Sequence, residues 1–378
     1  MASYKKLATG WSFRLRFKDP FTKEFKEKSQ RGFETKKEAQ LAVSDFERQL
    51  AEGVDLTDLK LKDYMEFWIN EYKVDSVRKN TLSWHKNNIK THINPYFKEL
   101  FMKEIKPIMY QKFLSSLFAK GLSRRSVISV HTTFNGAMKQ AIILGKIEKN
   151  PCSGAKVKGE EEKTIIKFIE SEHIPSFLTS ARQYDYIYWS FFKALIETGM
   201  RKGEAAALQW TDINFKDRTI KITKTLDFTA KSSEETFGDT KTYNSKRIIT
   251  IPQTMIDDLR FHLNYQNQNK LALLNAYNHE LNLVFCKNDG NFIPKSSLFN
   301  AFSRILKRIN ISPMPIHSLR HTHAVLQLES GATMKYVQER LGHGSVQITS
   351  DVYAHISKKI ETDHSERFET HLNKVFEK

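Results

Sequence analysis

Residues 314–325 read MPIHSLRHTHAV, setting three histidines and an arginine within seven positions. Such a cluster holds a metal, fills a core or grips an anion. His317 and His321 stand four apart, so they share one face if the stretch is helical, as in zinc-protease helices. The zinc signature needs a glutamate beside the first histidine and a third ligand. Here Ser318 takes the glutamate's place, and Arg320 sets a permanent cation next to any ion. No metal is therefore expected. Isolated histidines most often sit satisfied in a core or on a helix surface, whereas Arg and His donors together suit a phosphate oxygen. The rest of the chain has to choose between those two readings.

Its 378 residues, 40% of them apolar, are enough for two or three domains with cores of their own. Against 43 acidic residues stand 60 Lys and Arg, and the resulting +17 exceeds the charge of about 2 to 8 that keeps a small domain soluble. A polyanionic partner is expected, DNA or RNA before a membrane surface. Cys152 and Cys286 are too few for a disulfide framework and lack metal-ligand spacing, which suits a reducing interior. With no secretory leader and no 18-residue apolar run, a soluble cytoplasmic protein without a membrane partner is expected.

Three segments follow along the chain. In WSFRLRFKD, Trp11, Phe13, Leu15 and Phe17 alternate with Ser12, Arg14, Arg16 and Lys18, the pattern of a strand with one packed and one charged face. A turn through Pro20, a further strand in FKEKSQRGF, and a capping box of Thr35 with Glu38 predict a small sheet backed by one helix to about Glu52. Residues 1–37 carry eleven Lys or Arg against four acidic residues, so Arg14, Arg16 and Lys18 are candidate DNA contacts on that sheet. From Leu61 the apolar positions Leu61, Tyr64, Met65, Trp68, Ile69 and Tyr72 take helical spacing. Further helices, divided by Pro95, Pro107 and Gly121, extend an all-α domain to about Asn150. Ser123, Arg124, Arg125 and Ser126 open the last of these, a helix start that suits a phosphate, with Arg124 and Arg125 as candidate contacts.

CSGAKVKGEEEKT, residues 152–164, reads as a linker. The third segment is predicted mostly helical with one small sheet, formed by TIKITKTL and RIITIP on either side of a polar connection from Asp227 to Lys246.

That third segment also carries LGHGSVQITSDVYAH, with His343 and Tyr353, and upstream ETGMRKGEAAAL, with Arg201. In this order TGMRKGE, HSLRHTHA and LGHGSVQITSDVYAH resemble the tyrosine recombinase family, and the layout of the whole chain is similar to integrases of phages and conjugative transposons. The resemblance implies that Arg201 and Arg320 hold the scissile phosphate, with His317 beside them, His343 as second histidine and Tyr353 as nucleophile. It places a catalytic lysine in GDTKTYNSKR, where Lys241 is chosen over Lys246 and Lys224, and it makes Glu204 a carboxylate that braces the site. His321, His323 and His355 receive no role from it.

The residue chemistry agrees. Displacement at a phosphodiester builds charge on non-bridging oxygens, which forked and permanently charged guanidiniums stabilise without a metal. A phenol with an ordinary pKa of about 10 needs its proton taken or its anion stabilised, for which His317 is placed. The departing 5′ oxygen needs a proton, the task given to Lys241. The glycines of KGE and LGHG read as structural turns, and with no G-x-x-x-x-G-K-[ST] loop no nucleotide cofactor is expected.

The expected fold is mainly α with small antiparallel sheets, an α+β multidomain recombinase closing as a C-shaped clamp on DNA. The expected domains are an arm-type DNA-binding domain (1–56), a helical SAM-like core-binding domain (57–152), a linker (153–164) and a catalytic domain with a C-terminal tail helix (165–378). The expected function is site-specific integration and excision of a mobile element through a 3′-phosphotyrosyl bond. The expected setting is a homotetramer on double-stranded attachment sites in a bacterial host, near the nucleoid, with accessory bending or excision factors. A type IB topoisomerase-like relaxing enzyme and a non-catalytic DNA-binding regulator are the alternatives.

Overall fold

The structure, a computed structural model, describes residues 2–7, 10–18, 24–51, 59–159, 166–230, 236–239 and 246–342, with a few positions between 369 and 376. Two compact units divide between Lys163 and Thr164.

The first unit begins with strands β1 (Ala2–Leu7), β2 (Gly10–Lys18) and β3 (Phe25–Phe33), an antiparallel sheet in that order. Period-two alternation buries Phe13 and Leu15 against Val43 and Phe46 of helix α1 (Lys36–Ala51), while Arg14, Arg16 and Lys18 face outward. α1 starts at the expected capping box: the Glu38 amide donates to Thr35 Oγ1 at 3.2 Å, and the Thr35 amide donates back to Glu38 Oε2 at 3.4 Å.

Helices α2 (Leu61–Tyr72), α3 (Lys79–Asn88), α4 (Asn94–Phe97), α5 (Pro107–Ala119) and α6 (Arg124–Ile143) follow. Leu61, Tyr64, Met65, Trp68 and Ile69 are the buried face of α2. Pro95 does not split a helix. It stands in the first turn of α4, and the chain stays helical from α3 through a π-turn at Ile89–Ile93 into that turn. The wider turn and the first-turn position spare the chain the amide that proline lacks. Pro107 starts α5, and Gly121, at φ 82°, separates α5 from α6. The beginning of the 152–164 stretch is packed chain: Cys152 is buried in the helical core, and Lys156 and Gln111 exchange two hydrogen bonds at 2.9 and 3.0 Å.

The second unit comprises α7 (Ile174–Tyr184), α8 (Tyr186–Thr198), α9 (Lys202–Ala206), β4 (Ile213–Asn214), β5 (Thr219–Ile222), β6 (Lys224–Leu226), β7 (Phe237–Asp239), β8 (Arg247–Thr250), α10 (Gln253–Leu273), α11 (Lys295–Arg308), α12 (Ser318–Glu329) and α13 (Met334–Leu341). Phe177, Phe191, Phe192 and Phe302 centre a core shared by α7, α8 and α11, where truncation of one ring costs about 3–5 kcal/mol. The expected single sheet is two among the described residues. β5 pairs with β4 and β8, whereas β6 turns to pair with β7. The run TIKITKTL keeps its alternation through Thr223 and so reads as one strand, but its two halves have different long-range partners.

Candidate active site

The site is assembled where helices end. α8 stops at Gly199, whose φ of 64° is the left-handed conformation of a helix C-cap. A Cβ there would lie 2.4 Å from Leu341 Cδ2 and 2.6 Å from His323 Cδ2, so the close approach admits only glycine. The turn delivers Arg201 to the N-cap of α9, its backbone amide donating to Glu204 Oε2 at 2.9 Å and its Nη1 to Glu204 Oε1 at 2.7 Å. Gly203 is a helix residue of α9 and not a turn: a Cβ there would meet Thr225 Oγ1 at 2.3 Å, so strand β6 rests directly on this helix. Gly342, at φ 66°, is the turn residue expected in LGHG.

α12 brings the opening cluster. Arg320 is 1% exposed and donates from Nη1 to the Gly199 carbonyl at 2.8 Å and from Nη2 to the Leu341 carbonyl at 2.6 Å. Burial, with Arg201 nearby, pushes its pKa down to about 9, which leaves it cationic at neutral pH. His317 stands at the N-terminal end of α12 with its ring edge-to-face on His321 at 5.0 Å. Burial, then His321, Arg320 and Arg201, lower His317 to about 4, so its imidazole is neutral at physiological pH. His323 is a satisfied core histidine. Its Nδ1 meets the Ile196 carbonyl at 2.7 Å and its Nε2 accepts from Arg340 Nε at 3.1 Å, contacts that require the Nδ1–H tautomer.

Arg247, the first residue of β8, was not singled out by the sequence. Its Nη2 donates to Glu204 Oε2 at 3.0 Å and its Nε to the Arg340 carbonyl at 2.8 Å, and its side chain is 7% exposed. Burial raises the pKa of the Glu204 carboxyl, and Arg247 and then Arg201 outweigh it, holding the group below its ordinary value. The signal was present in RIITI. Arg247 shares its parity with the buried Ile249 and Ile251, while Ile248 on the other parity is 67% exposed, so the alternation aims a charge inward.

Of the expected site residues, Arg201, Glu204, His317 and Arg320 thus come together. Lys241, His343 and Tyr353 lie outside the described residues. Among the alternatives to Lys241, Lys224 is engaged by Gln209 and by Asp212, at 3.1 Å from the latter, and Lys246 is exposed. Arg14, Arg16 and Lys18 belong to the first unit's sheet, where Arg14 pairs with Glu27 at 2.6 Å and Arg16 covers the Phe25 ring at 4.9 Å. Arg124 and Arg125 open α6, whose N-cap Ser123 accepts from the Ser126 amide at 3.3 Å.

Residues 157–359 match the family described as "Phage integrase family", residues 60–118 "Phage integrase, N-terminal SAM-like domain", and residues 2–50 "Arm DNA-binding domain". The first match alone spans more than half of the chain, which therefore belongs to the phage integrase family of tyrosine recombinases and is a site-specific recombinase. A XerC-like tyrosine recombinase of Caldanaerobacter subterraneus subsp. tengcongensis is 29% identical over 346 residues, covering 87% of this chain and 88% of that protein. The ICEBs1 integrase of Bacillus subtilis is 27% identical over 298 residues, 77% of this chain and 78% of its own. Among solved structures, the Tn1549 transposon integrase in complex with transposon right end DNA superposes with a TM-score of 0.65 at 18% identity, over 82% of this chain and 99% of that one. A lambda integrase tetramer bound to a Holliday junction gives 0.58 at 16% identity, over 90% and 95%. At such identities the likeness is one of fold: mainly helical with small antiparallel sheets.

Proposed function

We propose that the protein integrates and excises a mobile element by cleaving and rejoining double-stranded DNA at attachment sites through a 3′-phosphotyrosyl intermediate. One observation carries this reading. Arg201 and Arg320, from different helices, donate to the adjacent carbonyls of Gly342 and Leu341, so two guanidiniums converge beside the neutral His317. Arginines fixed in this way stabilise charge growing on the non-bridging oxygens of a phosphodiester.

In the proposed step the Tyr353 oxygen bonds to phosphorus as the bond to the 5′ oxygen breaks. The phenolic proton passes to His317, whose basicity rises once the phosphodiester anion lies beside it. Lys241 gives a proton to the departing 5′ oxygen, and His343 adds a donor on the phosphate. Rejoining reverses the step on a partner strand. The domain roles follow: residues 1–56 hold arm-type sites through Arg14, Arg16 and Lys18, and 57–152 hold the core site with Arg124 and Arg125. Residues 153–164 link them to a catalytic domain, 165–378. The working form is a homotetramer on two duplexes, assisted by bending or excision factors, at the DNA of a bacterial cytoplasm. No helix among the described residues is long and apolar enough to cross a membrane.

A nicked duplex built on the sequence flanking the element tests the chemistry. A covalent protein–DNA adduct is expected, absent in Tyr353→Phe, and joining of two different duplexes excludes simple relaxation. Lys241→Ala is expected to slow cleavage by about 10² to 10⁴. A sulfur at the bridging 5′ position, which leaves without a proton, restores the rate. An adduct that survives Tyr353→Phe overturns the reading.

A further inference from the structure

α13 ends in the carbonyls of Arg340, Leu341 and Gly342, immediately before the chain that leads to His343 and Tyr353. Each of the three accepts from a different arginine: Arg340 from Arg247 Nε at 2.8 Å, Leu341 from Arg320 Nη2 at 2.6 Å, and Gly342 from Arg201 Nη2 at 3.2 Å. The final carbonyls of a helix lack intrahelical partners and carry the negative end of its dipole. Here that end is gripped by three cations from α9, α12 and β8.

Two of the three are the arginines assigned above to the phosphate; the third has another task. Glu204 is 3% exposed and already receives the Arg201 guanidinium. Alone, that pair would be neutral, and the carboxylate would compete with a phosphate for Arg201. Arg247 adds a second cation to the same carboxylate and leaves the trio with a net positive charge. Two of its contacts diverge, Nη2 toward Glu204 Oε2 and Nε toward the Arg340 carbonyl, a span that a planar fork makes and a single ammonium does not. Its backbone is fixed by the pairing of β8 with β5, Arg247 opposite Ile222.

We propose that Arg247 is a positioning residue for DNA cleavage: by binding Glu204 and the Arg340 carbonyl together, it aims Arg201 at the phosphate and fixes the origin of the segment that carries the nucleophile. The inference rests on the reading of Arg201 as a phosphate ligand.

The test uses the full chain on the nicked duplex above, with single-turnover adduct formation at saturating DNA measured beside gel-shift affinity for the same duplex. Arg247→Lys keeps the charge and loses the divergent fork. It is expected to slow adduct formation by about 10- to 100-fold, the effect of a displacement of about 1 Å at a reacting centre. Affinity should stay within about threefold, because no phosphate contact is removed. Arg247→Ala leaves Glu204 holding Arg201 without compensation, so adding Glu204→Gln to it should recover part of the loss, whereas independent structural damage would add. A wild-type rate in Arg247→Lys, parallel loss of rate and affinity, or additive losses in the double variant overturn the inference. Arg201→Lys separates the two levels. If it cleaves normally, the phosphate reading fails; if it is inactive while Arg247→Lys is not, only the role of Arg247 fails.

Discussion

The arginines of the β1–β3 sheet and those around α13 do different physical work with the same functional group. Arg14 is 69% exposed in its pair with Glu27, and such surface pairs are worth about 0 to 1 kcal/mol and fade with salt. Arg320 and Arg247 are nearly buried, and their donors end on named carbonyl and carboxylate oxygens. The first kind supplies long-range attraction for a polyanion, tolerant of position. The second supplies a fixed field at one point. Net charge therefore identifies the class of partner, and only buried, hydrogen-bonded cations identify chemistry.

The largest expected effect breaks the contrast at its buried pole. Arg320→Lys retains the charge but cannot serve the Gly199 and Leu341 carbonyls together, and adduct formation is expected to fall by about 10² to 10³, with DNA affinity little changed. Equal losses of rate and affinity would place Arg320 with the surface cations.

A second test separates the regions by pH. Burial holds His85, His262 and His317 at about 4 and His323 at about 3, below the 6.5 of a free imidazole, whereas residues 1–51 contain no histidine. As pH falls, the unfolded chain takes up protons first. The stability of these neutral imidazoles is complete above about 6.5 and is lost toward 4 and 3. The urea midpoint of the cores holding them is expected to drop steadily between pH 7 and 4, and a flat midpoint would contradict it.

The smallest effect belongs to the exposed pole. Replacing Arg14, Arg16 and Lys18 by alanine is expected to lower the slope of log affinity against log salt on arm-type DNA by about one per phosphate contact removed, without altering the rate at the cleavage site. A slower cleavage rate would show that the sheet does more than attract.

Much of this was legible in the sequence because it is local. The alternation from Trp11 to Phe17, the Thr35 and Glu38 box and the helical spacing from Leu61 each lie within a few residues of their causes. Arg201 and Glu204 are three apart on one short helix, and His317 and Arg320 three apart at the start of another. What was missed is nonlocal. Arg247 meets Glu204 across 43 positions and the Arg340 carbonyl across 93, and a backbone acceptor leaves no mark in side-chain identity. The division of TIKITKTL between two sheets, and the seating of Gly203 under Thr225, likewise depend on distant partners.

That last contact has a mechanical meaning. With no side chain at position 203, the β6–β7 ribbon, from which the chain continues to Lys241, is mounted directly on the short helix that Arg201 begins. The ribbon and the start of the helix that Arg201 caps thus share one chassis. A wedge as small as a methyl group at that joint would tilt both together.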